Sequence, residues 1–284
     1  MPAANDLAPG LYLVATPIGN LEDITLRAIR VLKQVDLIAC EDTRQTQKLL
    51  NHYGIEKPTV SYHEHNEASR AAELVEKLAH GARIAIVTDA GTPGISDPGF
   101  RLVSLAIQRG VPVVPIPGPA AFVAALVASG LTFESFSFRG FLPVKSAARM
   151  RELEKIRHSA QTEIFYEAPH RIQQTLEEVV AVLGPERRIV VARELTKIHE
   201  EFLRGTAAQV LEALKARDGI KGEITLLIGP ASEGEVQSSS ISVRERVAQL
   251  MRDEKLDEKA ALKKAAKERG ISKSEAYREL QRGK

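Results

Sequence analysis

Along most of this chain, short apolar runs alternate with segments whose apolar residues fall at helical spacing, and this alternation constrains the fold more than any other feature. Parallel strands need a crossover between them, and a helix is the usual crossover. Strand–helix–strand repetition therefore calls for a mostly parallel sheet. The run from Leu11 to Ala15 ends in the turn-like TPIGN; Leu26, Ile29 and Leu32 then mark a helix, and residues 36–40 are largely apolar again. A buried-type strand follows at ARIAIVT (82–88), then the loop DAGTPGIS. Asp97-Pro98 is expected to open the next helix. Asp97 would cap free N–H groups, and Pro98 would sit in the first turn, where its missing N–H costs nothing. Gly110 is the expected left-handed stop. A strand at 111–116, the turn PGPAA and an apolar helix at 122–129 complete the series.

The character changes near Gly130. SFSFRGFLP reads as a strand or a crossover and RMRELEKIR as a charged helix. A second alternating set runs from TEIFYEA through HRIQQTLEEVVAVLG, RRIVVARE, HEEFLRG and TAAQVLEALKA to GEITLLIG, with Thr206 as a helix N-cap. PASEGEVQSSS is small, polar and aperiodic, the composition of a flexible linker. Helix signals follow at 243–251, at 258–269 before Gly270, and from Ser272 or Ser274 to Arg282. AALKKAAKERGISKSEAYREL has the spacing of a helix-turn-helix, a pattern that any small three-helix unit also produces. The expected architecture is two consecutive α/β domains at 1–130 and 131–230, a linker at 231–240 and a small basic helical module at 241–284.

The chain has 284 residues, enough for two domains each with its own core. No apolar run reaches the ~18 residues of a membrane span. MPAANDLAPG lacks the basic segment and apolar core of a signal peptide. The single cysteine, Cys40, excludes an internal disulfide and a multi-cysteine zinc site. These features lead to the expectation of a cytoplasmic protein with no membrane partner. The net charge of +2 conceals an asymmetry: residues 241–284 hold 13 basic and eight acidic residues, a net of +5, and the remainder carries −3. A basic module on a slightly acidic body suits contact with a polyanion; a solvated lysine-rich tail has the same composition.

In open parallel sheets, ligands bind in the loops at the carboxyl ends of the strands. Three such loops are dense in Gly, Pro and small polar residues: 16–20, 89–99 and 115–121. Glycine and proline fix the backbone and let it approach a ligand closely, and three such loops from one sheet are more than tight turns require. The candidate binding residues are Thr16, Pro17, Ile18, Gly19 and Asn20, then Asp89, Ala90, Gly91, Thr92 and Pro93, then Pro117, Gly118, Pro119, Ala120 and Ala121. Neither GxGxxG nor GxxxxGK[ST] is present, and the loops contain no basic residue to meet a phosphate. Backbone amides, the Thr16 and Thr92 hydroxyls and the Asp89 carboxylate suit a ligand with a ribose diol and an ammonium.

EDTR follows the second strand. Glu41 and Asp42 suit holding or deprotonating a ribose hydroxyl, and Arg44 suits a phosphate; a structural ion pair is the competing reading. In SYHEHNE an extended backbone would point His63 and His65 to one face. No further metal ligands accompany them, and the H-x-E of zinc deaminases lacks its C-x-x-C, so no metal is expected and a substrate-side role stays open. Arg139, Lys145, Arg149 and Arg151, with Lys263, Lys264, Lys267, Arg269 and Lys273 of the tail, are candidate phosphate contacts, or parts of a solvated face.

TPIGNLEDIT, EDTRQT, HEHNE, DAGTPGISDPG, PGPAA, GFLP, FYEAPHR and ARELTK, in this order and spacing, are similar to the 16S rRNA 2′-O-ribose methyltransferase I family of the tetrapyrrole-methylase superfamily. The resemblance covers nearly the whole chain. It implies two α/β domains with S-adenosylmethionine in the cleft between them, a homodimer, and a decoding-centre cytidine of 16S rRNA in the small ribosomal subunit as methyl acceptor. Carried over by position, it assigns the three loops and Ile95 to the cofactor, and adds Tyr166, Glu167, Leu195, Gly222 and Glu223 from the second half. Two other functions share some of these features. A tetrapyrrole methyltransferase would use the same pocket for a small acceptor, and a metabolite-sensing nucleic-acid-binding regulator would use the tail to read DNA.

Overall fold

The structure, a computed structural model, describes residues 7–232, 243–268 and 272–282. The chain divides into two compact units, the first made of residues 1–128 with 192–201 and the second of 129–191 with 202–284.

The first unit holds a five-stranded sheet of β1 (Gly10–Val14), β2 (Leu37–Cys40), β3 (Thr59–Ser61), β4 (Arg83–Ile86) and β5 (Val113–Ile116). Their order is β3-β2-β4-β1-β5, and every pairing is parallel. The helices are α1 (Leu26–Gln34), α2 (Thr43–His52), α3 (Glu67–Ala79), α4 (Phe100–Gln108) and α5 (Ala121–Ser129). Successive strand residues point to opposite faces, so one apolar run feeds two cores. Tyr12, Val14, Ile38, Cys40 and Ala85 pack with Ala28, Val31 and Leu32 of α1 and Leu50 of α2. Leu11, Ala39, Ile84 and Ile86 pack on the other face with Leu74 and Leu78 of α3 and Leu102 of α4. Local chemistry sets the helix starts: Thr25 caps α1 through the Ala28 N–H, and Asp42 caps α2 through the Arg44 N–H.

The start of α4 differs from the sequence expectation. Gly99 is its N-cap and no side chain caps it. Asp97 lies near Thr88, Glu41 and Asp89, and its carboxyl makes no capping bond to the helix. The stop is as expected: Gly110 has φ +68 and the Val111 N–H closes on the Ala106 carbonyl. SYHEHNE is extended only at its start, where Ser61 ends β3. The chain turns after β3, with the Asn66 and Glu67 N–H groups both donating to the His63 carbonyl as α3 begins.

The second sheet contains β6 (Phe136–Phe141), β7 (Thr162–Glu167), β8 (Arg188–Arg193), β9 (Glu201–Thr206) and β10 (Ile224–Ile228), in the order β6-β7-β10-β8-β9. It is mixed: β6 runs parallel to β7, and β10 runs antiparallel to β7. Its core joins Phe165, Ile189, Val191, Leu226 and Ile228 to α6 (Ser146–Lys155), α7 (Ile172–Leu183) and α8 (Ala207–Lys215). Thr206 and Gln209 close a reciprocal capping box at the start of α8.

The tail forms α9 (Val243–Asp253), α10 (Glu258–Glu268) and α11 (Lys273–Arg282) around a small core of Val243, Val247, Leu250, Leu262, Ala265 and Ala276. The polar stretch 233–242, Arg269, Gly270 and the Lys267 side chain lie outside the described residues. No described helix is long and apolar enough to cross a membrane.

Candidate active site

The three Gly/Pro-rich loops follow β1, β4 and β5, which are adjacent strands in the order β4-β1-β5. Their parallel direction puts all three loops at one edge of the sheet, and hydrogen bonds lace them together. Thr16 and Gly91 exchange backbone bonds, N–H to carbonyl, at 2.9 and 3.0 Å. The Thr92 hydroxyl donates to the Pro119 carbonyl at 3.1 Å. Two glycines make this approach possible. Gly91 has φ +86, a backbone conformation that L side chains rarely adopt, and a Cβ on Gly118 would fall 2.8 Å from the Ala15 Cβ.

Thr16 acts differently from the sequence expectation. It is 1 % exposed and its hydroxyl donates to the Thr88 carbonyl at 3.0 Å, so it holds the loops together and offers no donor to a ligand. Ile18 and Pro93 are buried, Ile95 is half-buried, and Gly19, Asn20, Asp89, Ala90, Pro117 and Gly118 are exposed at the rim.

The acidic side of this edge forms around Asp89. Its carboxylate accepts the Asp42 N–H at 3.2 Å, which ties EDTR to the second loop. The Asp42 carboxylate accepts the Arg44 N–H at 2.7 Å, and the Arg44 side chain is exposed. Burial, then the Asp89 charge, push the Glu41 carboxyl above its usual range, while His63 pulls it down. Burial raises Asp89 as well. Asp97 is pushed up to about 6 by burial, with the Thr88 hydroxyl lowering it and the Glu41 and Asp89 charges raising it. Asp97 joins the cluster although the sequence points to it only as a helix cap; its signal is its place in the same Gly/Pro-dense loop as Asp89.

His63 is half-buried, with the Asn66 side-chain nitrogen 3.2 Å from its Nε2; His65 is exposed in the turn, its ring centroid 6.0 Å from that of His63. Among the described residues, no group of three or more His, Cys, Asp and Glu is placed to hold a metal ion.

Backbone strain concentrates at the same edge. Four described non-glycine residues have positive φ, and three of them are Ser96 (+63°) in the second loop and Glu194 (+52°) and Thr196 (+64°) in RELTK. Each costs about 1–3 kcal/mol, and a β-branched residue such as Thr196 is the rarer case. Residues 192–201 belong to the first unit, and there the Thr196 hydroxyl accepts the Asn20 N–H of TPIGN at 3.0 Å. Leu195 beside it is buried.

The remaining candidates lie in the second unit. Tyr166 is half-buried, edge-on to Phe138 and Phe141 at 4.9 and 5.5 Å. Gly222 (φ +92) and Glu223 form the turn into β10. Glu167 is withdrawn from any ligand. Its carboxylate accepts the Ala168 N–H, the Arg171 guanidinium at 2.5 Å and the Thr175 hydroxyl at 2.7 Å, which commits it to the start of α7. Arg149 is withdrawn too: it is fully buried, bonded to Glu178 at 2.6 and 2.7 Å and to the Pro143 and Val144 carbonyls, so it cannot reach a phosphate. Arg139 pairs with the buried Glu163 at 2.5 Å. Lys145, Arg151, Lys263 and Lys273 are exposed, and Lys264 pairs with Glu254.

The chain and its fold have relatives among known proteins. Residues 10–211 match the family model described as Tetrapyrrole (Corrin/Porphyrin) Methylases. A protein of Halalkalibacterium halodurans named ribosomal RNA small subunit methyltransferase I is 48% identical, over 94% of this chain and 93% of its own length. A protein of the same name from Vibrio cholerae is 52% identical over 84% of this chain and 83% of its own. Among solved structures, uroporphyrin-III-C-methyltransferase from Thermus thermophilus superposes with a TM-score of 0.56 at 20% identity, over 80% of this chain and 98% of that one, a likeness of fold.

Proposed function

The chain belongs to the tetrapyrrole methylase family and, within it, to the ribosomal RNA small subunit methyltransferase I family, and from that premise we propose that it methylates the ribose 2′-oxygen of a decoding-centre cytidine, cytidine 1402 of 16S rRNA. At the coarser level it is an S-adenosylmethionine-dependent methyltransferase of ribosomal RNA. The observation that carries the finer reading is the laced edge β4-β1-β5 with Glu41, Asp42, Asp89 and Asp97 beside it.

The residues present fit S-adenosylmethionine, whose amine and sulfonium are both cationic. The loops contribute backbone amides and the Asp89 carboxylate, no basic residue, and two glycines where the backbone does not readily accept a side chain. When bound, the cofactor supplies a methyl group on a positively charged sulfur. The chain's own part is to hold the acceptor and take its proton. A 2′-hydroxyl is a weak nucleophile, and a carboxylate with a raised pKa is a stronger base than a free one. Glu41 meets that description, at the mouth of β2 and next to Asp89. Asp42 caps α2 and so fixes EDTR in place, which leaves the exposed Arg44 to meet an RNA phosphate. Lys145, Arg151, Lys263 and Lys273 extend the phosphate contact. The working unit is a homodimer: α5 is apolar on every side yet leaves Val123 and Val127 44 and 64 % exposed, a surface that suits a second copy.

The test is to supply labelled S-adenosylmethionine with, separately, small ribosomal subunits, naked rRNA, a tetrapyrrole precursor and duplex DNA. Label is expected in the RNA, on a nucleotide whose 3′-phosphodiester resists alkaline hydrolysis because its 2′-oxygen is blocked. Label on a base, or on the tetrapyrrole, would sink the ribose assignment.

A further inference from the structure

Residues 194–197 combine two features that an ordinary turn does not need together. Two of the four are non-glycine residues with left-handed backbone, and one is a threonine. Glycine at either position would remove the strain. The surrounding bonds hold the strained shape. The Thr196 N–H donates to Glu200 Oε2 at 2.7 Å, the Lys197 N–H to the Glu194 carbonyl at 3.0 Å, and Lys197 Nζ to the Glu194 carboxylate at 2.8 Å. This scaffolding aims one group, the Thr196 hydroxyl, at the Asn20 N–H. The neighbouring Gly19 is so close that a Cβ there would fall 2.9 Å from Thr196 Oγ1 and 3.0 Å from the Leu195 carbonyl oxygen, and would also meet Lys197. Asn20 is exposed, so its N–H is not a buried donor that would go unsatisfied without this bond; the bond places the loop. Asn20 passes that placement on, since its side chain accepts the Glu22 N–H of the following 3-10 turn.

We propose that Thr196 is a positioning residue for the cofactor site, its hydroxyl fixing the Gly19–Asn20 end of the first loop while the left-handed backbone at 194 and 196 holds it on target. The inference rests on the reading of the three loops as the S-adenosylmethionine site. Strain retained at a position where glycine is available marks a position whose side chain is needed.

Four variants of the full chain test it. Thr196→Val keeps the branched shape and removes the acceptor oxygen. Thr196→Ser keeps the oxygen. Thr196→Gly removes both oxygen and strain. Gly91→Val marks the cofactor site independently. Cofactor affinity by calorimetry, KM and kcat on small subunits, and Tm without cofactor are measured for each. Thr196→Val is expected to weaken S-adenosylmethionine binding and raise its KM by about tenfold, the effect of one lost hydrogen bond, with kcat at saturation within about twofold of wild type. Thr196→Ser retains affinity. Thr196→Gly melts at or above wild type and still binds about tenfold more weakly, a split that a purely structural role would not produce. Wild-type affinity in Thr196→Val and Thr196→Gly while Gly91→Val binds poorly overturns the proposal and leaves the site standing. A Tm loss in Thr196→Gly that matches its affinity loss also overturns it. Normal binding by Gly91→Val removes the site reading itself.

Discussion

Asp97 shows how one half-buried carboxyl links stability to chemistry. Its folded pKa lies at about 6, raised chiefly by burial, against an ordinary value of 3.8. Between those values the folded chain holds a proton that the unfolded chain has lost, so this group's contribution falls as pH rises through that window, and its penalty is complete above about 6. Asp97→Asn should therefore stabilise the protein at pH 7.5 by about 1–2 kcal/mol, allowing for partial exposure, with the gain vanishing near pH 4. Thermal melts of both proteins at the two pH values check this; an equal Tm difference at both would mean that the carboxyl is not buried as a neutral group. A contrast between its neighbours separates base from scaffold. Glu41→Gln should lower kcat by about a hundredfold or more at unchanged cofactor affinity, whereas Asp42→Asn, which preserves the cap of α2, should cost much less. Equal losses in single-turnover rates would contradict that division. Much of this is legible in the sequence, because glycine, proline and aspartate mark their loops by density alone. What is not legible is direction. Nothing local shows that the Thr16 hydroxyl turns inward to Thr88, that Asp97 lies near Glu41 without capping its helix, or that Glu167 is saturated by Arg171 and Thr175.

At the scale of elements, periodicity is local and the elements it marks are there. Strand order and pairing direction are not local. Hydropathy along the chain does not reveal that β4 lies between β2 and β1, or that β10 runs antiparallel to β7. The EDTR and HEHNE segments stand out for their chemistry, yet they are also the entries to α2 and α3. The same gap explains Arg149. In sequence it sits in a basic run on α6; in the fold it crosses to Glu178 of α7, 29 residues on, where the Ser146 hydroxyl also binds. Burial pushes the Glu178 carboxyl up, but the Arg149 and Ser146 hydrogen bonds and the Arg149 charge outweigh it and the carboxyl ends below its usual range. Arg149→Ala leaves that carboxylate buried without its partner, which costs about 3–5 kcal/mol. Chemical unfolding should show that loss. RNA affinity of the remaining folded protein should keep its salt dependence, because a buried guanidinium releases no counterion from a phosphate. Arg151→Ala, on the exposed side of the same helix, should do the reverse: little change in stability, and a flatter dependence of affinity on salt.

The whole molecule joins a slightly acidic body to a basic module. The tail's apolar side chains pack into a core of their own, with Val247 and Leu250 of α9 against Leu262 and Ala265 of α10 and Ala276 of α11. Among the described residues, the cores of the two sheets contain no residue of the tail. Deleting residues from 233 onward should therefore leave both sheets folded and S-adenosylmethionine affinity within about twofold of the full chain, since none of the loop residues lies in the tail. The deletion removes the 13 basic and eight acidic residues of 241–284 together with Glu233 and Glu235, three positive charges net. Binding to small ribosomal subunits should weaken. The slope of log affinity against log salt should become shallower by about 0.7–0.9 for each phosphate that the truncated chain no longer neutralises. Methyl transfer should persist at high subunit concentration, with the loss falling in KM and kcat largely kept. Calorimetry, a salt titration of subunit binding and steady-state kinetics on the truncated chain decide the matter. A truncated protein that unfolds would make the tail part of the body's core. One that binds subunits equally tightly at every salt concentration would show that the positive charge of the module meets something other than RNA.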